Sequence, residues 1–558
     1  MTVRALAAAA VLLICGGAVA WAGPVQVENA LPGVTAWNAF ANNYSFVYAS
    51  QIGIAPGDEL DFHVSTPARY RLEIFRLGWY GGAGGRIVAC SPSCVGDEQG
   101  SVQGGQDPPS VQPLRANWPV TDVVRSSPDW VSGYYVAEAV QTSGSAAGTV
   151  ATTWFVVRQA PDAPPSQILV EVPVNTWEAY DDWGGRGLYN FISERATRVS
   201  FLRPFAGDAQ SPLWNELQTV RFLEREGYDI SYETDVDADA DPAGLARHRL
   251  VIVNGHDEYW TMAQRLGFDS ALAAGTNLAF LGANDAFWHV EYEDDRTTIH
   301  TEKSLYDPNP DRSMKTALFR EIGRPECLLE GVEHTNFTVY DHPLDYTVTA
   351  QGAADPWLAN TGLAAGSTIA AVVGREHDAL APGCAPKNTV VLFHYDGVDP
   401  TQNADAVRYT APSGARAFAS GAYNFSLALD GYRSTDWLGP AYPVGVDRNV
   451  PVDPRVQQFM RNALADLTSP QPPAFVRVAL QDGRLRVGTR WPDDPRIVGR
   501  VVYRVRLPDG RRQLVCSGRV PCFPPPAPAG HYRFDVSFVD RWGGTSAPAS
   551  GTYAVGHA

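Results

Sequence analysis

Residues Val251-Ile252-Val253-Asn254-Gly255-His256-Asp257-Glu258-Tyr259-Trp260 constrain the fold more than any other stretch. A β-branched apolar run ends in a glycine, and a histidine, two carboxylates and two aromatics follow at once. Such a run fits a parallel strand buried on both faces, the kind an α/β sheet provides. Ligand-binding and catalytic groups collect at the carboxyl ends of such strands, because the strand fixes the loop while the loop stays accessible. Acidic residues also favour the first turn of a helix, so capping of a following helix stands beside chemistry as an account of this segment.

The neighbouring pattern extends the α/β assignment. Residues 168–172, 228–232, 250–253 and 277–281 read as strands, whereas 213–225 and 260–274 have helical periodicity. That succession predicts a layered α/β domain over 166–468, with a mostly parallel sheet and helices on its faces. Sheet elements continue through 369–373 and 389–394, and 455–467 reads as a closing helix. Upstream, 25–160 alternates polar and apolar residues, as in Tyr70-Arg71-Leu72-Glu73-Ile74-Phe75-Arg76-Leu77, and reads as a β-sandwich. Downstream of Pro470, Pro472 and Pro473, residues 474–558 read as a second sandwich of immunoglobulin or fibronectin type, with Trp491, Tyr503 and Tyr532 as core aromatics. The predicted fold class is therefore multidomain, α/β in the centre with all-β flanks, as a length of 558 residues leads one to expect.

Residues 1–22 have the form of a secretory signal: Arg4, an apolar run over 5–19, and small-x-small cleavage sites at Ala18-Val19-Ala20 or Ala20-Trp21-Ala22. No later stretch is apolar and long enough to span a bilayer. The expected location is secreted, periplasmic or extracellular. After Cys15 leaves with the signal, the cysteines fall into sequence-local pairs, 90 with 94 and 516 with 522, leaving 327 with 384. Disulfides suit an oxidising compartment. A net charge of −17 without a basic stripe excludes a nucleic-acid partner. A homo-oligomer stays open.

A second unusual stretch runs from Asn175 to Tyr189, where aromatics, carboxylates and glycines interleave without helical or strand period. Trp177 and Trp183 fit plugs in a packed loop, but the polar groups beside them do not. In a parallel sheet this loop, the 254–260 loop and Gly282-Ala283-Asn284-Asp285 leave from one edge, so Tyr180, His256 and Glu258 can converge. Carboxylate and phenolate oxygens suit a ferric ion, with imidazole tolerated nearby. The alternating Asp235, Asp237, Asp239 and Asp241 resemble a calcium loop but lack its turn glycine and its closing glutamate. They read as a solvated acidic loop. No Gly-x-Ser-x-Gly elbow, His-Glu-x-x-His or phosphate loop is present.

At these residues the chain resembles the large-subunit family of N,N-dimethylformamidase, in its C-terminal catalytic domain. The matching blocks are Asn175-Thr176-Trp177-Glu178-Ala179-Tyr180, Trp183-Gly184-Gly185, Ser200-Phe201-Leu202-Arg203-Pro204, Gly227-Tyr228-Asp229-Ile230-Ser231-Tyr232, Gly255-His256-Asp257-Glu258-Tyr259-Trp260 and Leu281-Gly282-Ala283-Asn284. The resemblance implies a mononuclear iron held by two tyrosines and one glutamate, and hydrolysis of a small formamide to formate and an amine. Carried over by position, Glu258 is the carboxylate ligand and Tyr180 one phenolate. The second phenolate is left among Tyr135, Tyr189 and Tyr259. His256 is the nearby acid/base, Asn284 an amide that orients substrate, and Glu376 a further active-site carboxylate. The family's formamidases are cytoplasmic and work with a small subunit, whereas this chain carries an export signal and an added C-terminal sandwich.

The expected function is thus secreted, Fe(III)-dependent hydrolysis of a C–N amide bond in a small molecule. One alternative is a non-catalytic surface or carbohydrate-binding protein with a degenerate α/β core. Another is glycan hydrolysis by Glu258 and Glu376 as a carboxylate pair.

Overall fold

The computed structural model describes residues 23–38, 45–189, 194–205, 214–337, 344–433, 450–473, 476–481, 484–489, 500–510, 512–518 and 529–556. The signal-like residues 1–22, Trp491 and Cys522 lie outside them, as does the Cys516 side chain.

The centre is mixed α/β, built on a nine-stranded sheet. Five neighbouring strands, Ile230–Thr234, Ile168–Val172, Leu250–Val253, Asn277–Phe280 and Arg416–Ala419, pair in parallel in that order. The sheet then continues antiparallel through Ala404–Thr410, Val390–Tyr395, Leu344–Val348 and Thr368–Val373. A mostly parallel sheet was expected; half of the strand pairings are antiparallel. The parallel half shows why its strands are apolar throughout. Ile168, Val170, Leu250, Ile252 and Ala279 enter a core on one face, and Leu169, Val251, Val253, Leu278 and Phe280 a core on the other. Each buried branched side chain is worth roughly 1.5–3 kcal/mol over exposure, so both faces need a covering layer.

Helices Leu217–Glu226 and Pro454–Leu467 contribute Phe222, Phe459 and Leu464 to the first core, and helix Met262–Ala273 contributes Phe268 and Ala271 to the second. The last of these starts later than its periodicity suggests. Tyr259–Thr261 pairs instead with Trp288–Glu293, and the Thr261 side chain caps the helix by accepting from the Gln264 amide. The 254–258 segment therefore lies ahead of the helix, and capping does not account for it. Residues 174–180 form a short helix where no period was visible, and Trp177 and Trp183 are buried plugs. The expected solvated loop at Asp235 is instead helix Asp235–Ala240, capped by Thr234, with Asp235 fully buried.

Residues 46–157 form a three-stranded and a larger sheet that share a core of Phe62, Val64, Leu72, Ile74, Tyr135 and Phe155. Alternation sends Phe75, Tyr134 and Trp154 the other way, against Val170, Phe222 and Tyr232 of the α/β region. An ion pair between the fully buried Arg76 and Glu224, 2.7 Å apart, ties the two regions. Strands Val476–Gln481, Arg484–Thr489, Arg500–Arg506, Gly530–Val539 and Ala549–Val555 build sheets whose core includes Val487, Val501, Phe534 and Phe538. They meet the α/β region where Asp540 pairs with Arg249 at 2.8 Å and Trp542 Nε1 donates to the Arg247 carbonyl. Disulfides join Cys90 to Cys94, the expected local pair, and Cys327 to Cys384, the pair reached by elimination.

Candidate active site

Three loops leaving the carboxyl ends of neighbouring parallel strands build the site. Strand Ile168–Val172 runs into helix Val174–Tyr180, which ends on Tyr180. Strand Leu250–Val253 leads through Gly255, at φ 85°, to His256 and Glu258. Strand Asn277–Phe280 leads to Asn284, itself in the left-handed region at φ 57°. Gly282 permits the last two loops to touch. A Cβ there would sit 1.5 Å from the Gly255 carbonyl oxygen. Glu376 comes from outside the main sheet, at the start of strand Glu376–Leu380, which pairs with Val332–Phe337.

Glu258 is the hub. Tyr180 Oη donates to its Oε2 at 3.0 Å, and Tyr189 Oη reaches its two oxygens at 2.8 and 2.9 Å. The two phenol oxygens are 3.1 Å apart. Tyr180 Oη also lies 3.5 Å from His256 Nε2 and 3.5 Å from Glu376 Oε1. His256 Nδ1 faces the Ala283 carbonyl oxygen at 2.8 Å, so this nitrogen carries a proton and Nε2 is the atom that titrates. Nε2 stands 3.4 Å from Glu258 and 3.6 Å from Glu376. Asn284 Nδ2 donates to Glu376 Oε2 at 2.5 Å, and its main-chain N–H donates to Asp378. All five expected site residues therefore converge.

Of the three candidates for a second phenol, Tyr189 is the one beside Glu258. Tyr259 Oη stops one step away, 2.8 Å from Tyr189 Oη. Tyr135 is in the N-terminal core with its hydroxyl on the Val131 carbonyl, and does not reach the site.

Burial is the largest influence on Tyr180, Tyr189, His256 and Glu258, and the charged neighbours decide its outcome. It raises the phenols of Tyr180 and Tyr189, and the charge of Glu258 raises them further. Burial would lower His256, yet Glu376 and Glu258 push it up to about 10. Burial would raise Glu258, yet hydrogen bonding and charge from His256 hold it below the ordinary value.

Lys303 and His334 gave no sequence signal. Lys303 Nζ sits 2.5 Å from Tyr259 Oη and 3.8 Å above the Tyr189 ring, and burial lowers it to about 8. His334 Nδ1 lies 3.5 Å from Asp378 and 3.9 Å from Glu376. Both come from segments outside the βαβα succession, so no strand-end rule points to them.

The donor set suits a hard trivalent ion: two phenols and a carboxylate meet at hydrogen-bonding distances in a site largely closed to water.

Residues 71–437 match the family described as N,N-dimethylformamidase beta subunit-like, C-terminal. The N,N-dimethylformamidase beta subunit of Alcaligenes sp. is 29% identical over 135 residues, a match that spans 23% of this chain and 16% of that protein. Among solved structures, the mmIFT52 N-terminal domain is 14% identical, with 47% of this chain and 93% of that chain covered at a TM-score of 0.26. Chitinase ChiA74 from Bacillus thuringiensis is 11% identical with 60% of each chain covered, at a TM-score of 0.13. Neither structural likeness is close enough to bear on fold or function. With well over half its length matched by the family, this chain belongs to the N,N-dimethylformamidase beta subunit-like C-terminal family.

Proposed function

We propose that the chain is an exported hydrolase of a C–N amide bond of the formamide type, with iron(III) held by Tyr180, Tyr189 and Glu258. The observation that carries this is the meeting of two phenols on one buried carboxylate, with His256 and Glu376 beside them. Bound there, the ion supplies Lewis acidity toward an amide carbonyl or a water.

The protein's own groups manage protons and orientation. Water adds to the carbonyl carbon, the C–N bond breaks, and the products are a carboxylate and an amine. Glu376 Oε1 accepts the proton of the attacking water. His256 Nε2, protonated because two carboxylates face it, gives a proton to the departing nitrogen. The Ala283 carbonyl keeps that ring in one orientation. Asn284 aims Glu376 through Nδ2, and its buried Oδ1, without a protein partner, is available to a substrate N–H or to water.

Export is supported by the signal-like N-terminus and by two disulfides. Among the described residues no helix is long and apolar enough to cross a membrane. The flanking sheets are read as immunoglobulin- or fibronectin-type modules beside the catalytic domain.

Metal analysis with a visible spectrum, wild type beside Glu258→Ala, tests the proposal. About one iron per chain, with a charge-transfer band lost in the variant, is expected, followed by turnover in a screen of small amides. A folded, colourless, iron-free wild type overturns it.

A further inference from the structure

Behind the Tyr180–Tyr189–Glu258 site lies a second cluster that the proposed reaction does not use. Glu171 stands on strand Ile168–Val172, Asp235 opens the helix after strand Ile230–Thr234, and Asp257 follows strand Leu250–Val253. These are three adjacent strands of the sheet, and one carboxylate oxygen from each residue lies within 4.8 Å of the others. All three side chains are completely buried.

Neutral groups supply their described hydrogen bonds. Gln264 Nε2 donates to Asp235 Oδ1 at 2.7 Å and to Glu171 Oε1, and the Asn175 main-chain N–H donates to Asp235 Oδ2 at 2.8 Å. No donor meets Glu171 Oε2 or either Asp257 carboxylate oxygen in full hydrogen-bond geometry; Trp260, whose Nε1 is likewise unmatched, and the neighbouring carboxyls are the groups that act on Asp257. Three carboxylates this close cannot all be charged away from water without a compensating cation, and buried oxygens short of a full hydrogen bond need an explanation of their own. Carboxylate oxygens from three directions are the ligands that hard divalent cations take.

We infer that Glu171, Asp235 and Asp257 bind a hard divalent cation of the Ca2+, Mg2+ or Mn2+ class, distinct from the iron position. Such an ion ties three strand ends together at the base of the site. Asp257 directly precedes Glu258, and Asn175, held by Asp235, donates its side-chain amide to the Tyr259 carbonyl at 2.9 Å. The cation would thus fix the backbone that presents Glu258. The inference is independent of which ion the phenols hold.

The full chain is analysed for metals as purified, then stripped with a chelator and titrated separately with CaCl2, MgCl2 and MnCl2 during thermal unfolding. One of the three is expected to bind at about one equivalent per chain and raise the unfolding midpoint by several degrees, saturably. The near-isosteric Glu171→Gln/Asp257→Asn variant is expected to show no such rise. If that variant does not fold, the stripped wild type decides alone. A stripped wild type that takes up none of the three, and melts unchanged in millimolar cation, overturns the inference, and the carboxyls then share protons instead. Iron, counted in the same samples, separates this outcome from failure of the amide-hydrolase proposal.

Discussion

The Tyr189 hydroxyl lies 2.8 Å from one carboxylate oxygen of Glu258 and 2.9 Å from the other, so it addresses the whole carboxylate. Tyr180 addresses one of the same oxygens, at 3.0 Å. Burial and the Glu258 charge keep both phenols protonated in the metal-free protein, and a ferric ion would replace those protons.

Tyr189→Phe should therefore cut the iron content and the visible band sharply. Tyr259→Phe, one hydrogen bond further out, should keep both. Elemental analysis and absorbance of the two variants side by side check the assignment; equal iron in both would show that Tyr189 is no ligand.

Gly282 is where the loops that carry His256 and Asn284 are pressed together. The smallest possible side chain at this position meets the Gly255 backbone, which cannot swing away as a side-chain end can. Gly282→Ala should destabilise the fold by about 1–3 kcal/mol, the usual cost of overpacking, and reduce turnover by moving His256 against Asn284. Urea unfolding and amide turnover, measured together, test this. A variant of wild-type stability and rate would mean the loops are not in contact.

How much of this was legible in the sequence depended on locality. The strand ends at 172, 253 and 281 are local features, and they located Tyr180, His256, Glu258 and Asn284. Glu376 was reached through family resemblance, since it enters from a separate pair of strands. Lys303 and His334 arrive through tertiary packing, with no local pattern to announce them. Asp235 was misread because alternating acidic residues resemble a solvated loop. The Thr234 cap turns them into a helix instead, and buries the first beside Glu171. The antiparallel half of the sheet was missed for a related reason: a short apolar run reveals a strand but not its direction.

The Arg76–Glu224 pair is fully buried and crosses from the N-terminal sheet to helix Leu217–Glu226. Glu224 also accepts from Tyr232 Oη at 2.9 Å. Arg76→Met should cost about 3–5 kcal/mol, because it strands a carboxylate in the interior. Arg76→Met/Glu224→Gln should recover part of that loss, since no charge is left unpaired. Chemical unfolding of the single and double variants gives the comparison, and a double variant no better than the single would place the cost in packing.

His248 supplies a pH dependence away from the site. Burial lowers its imidazole to about 4 from an ordinary value near 6.5, and its Nδ1 lies 2.9 Å from the Ser166 carbonyl oxygen. Between those two values the unfolded chain takes up a proton that the folded chain refuses. Its contribution to stability is therefore complete above pH 6.5 and is lost as the pH falls toward 4, by roughly 3 kcal/mol in all. His248→Asn keeps a hydrogen-bond donor for Ser166 but cannot titrate, so the wild-type-minus-variant stability difference should shrink steadily over that interval. Unfolding midpoints of both proteins at half-unit pH steps measure it. A difference independent of pH would show that His248 ionises with equal ease in the folded and unfolded chain.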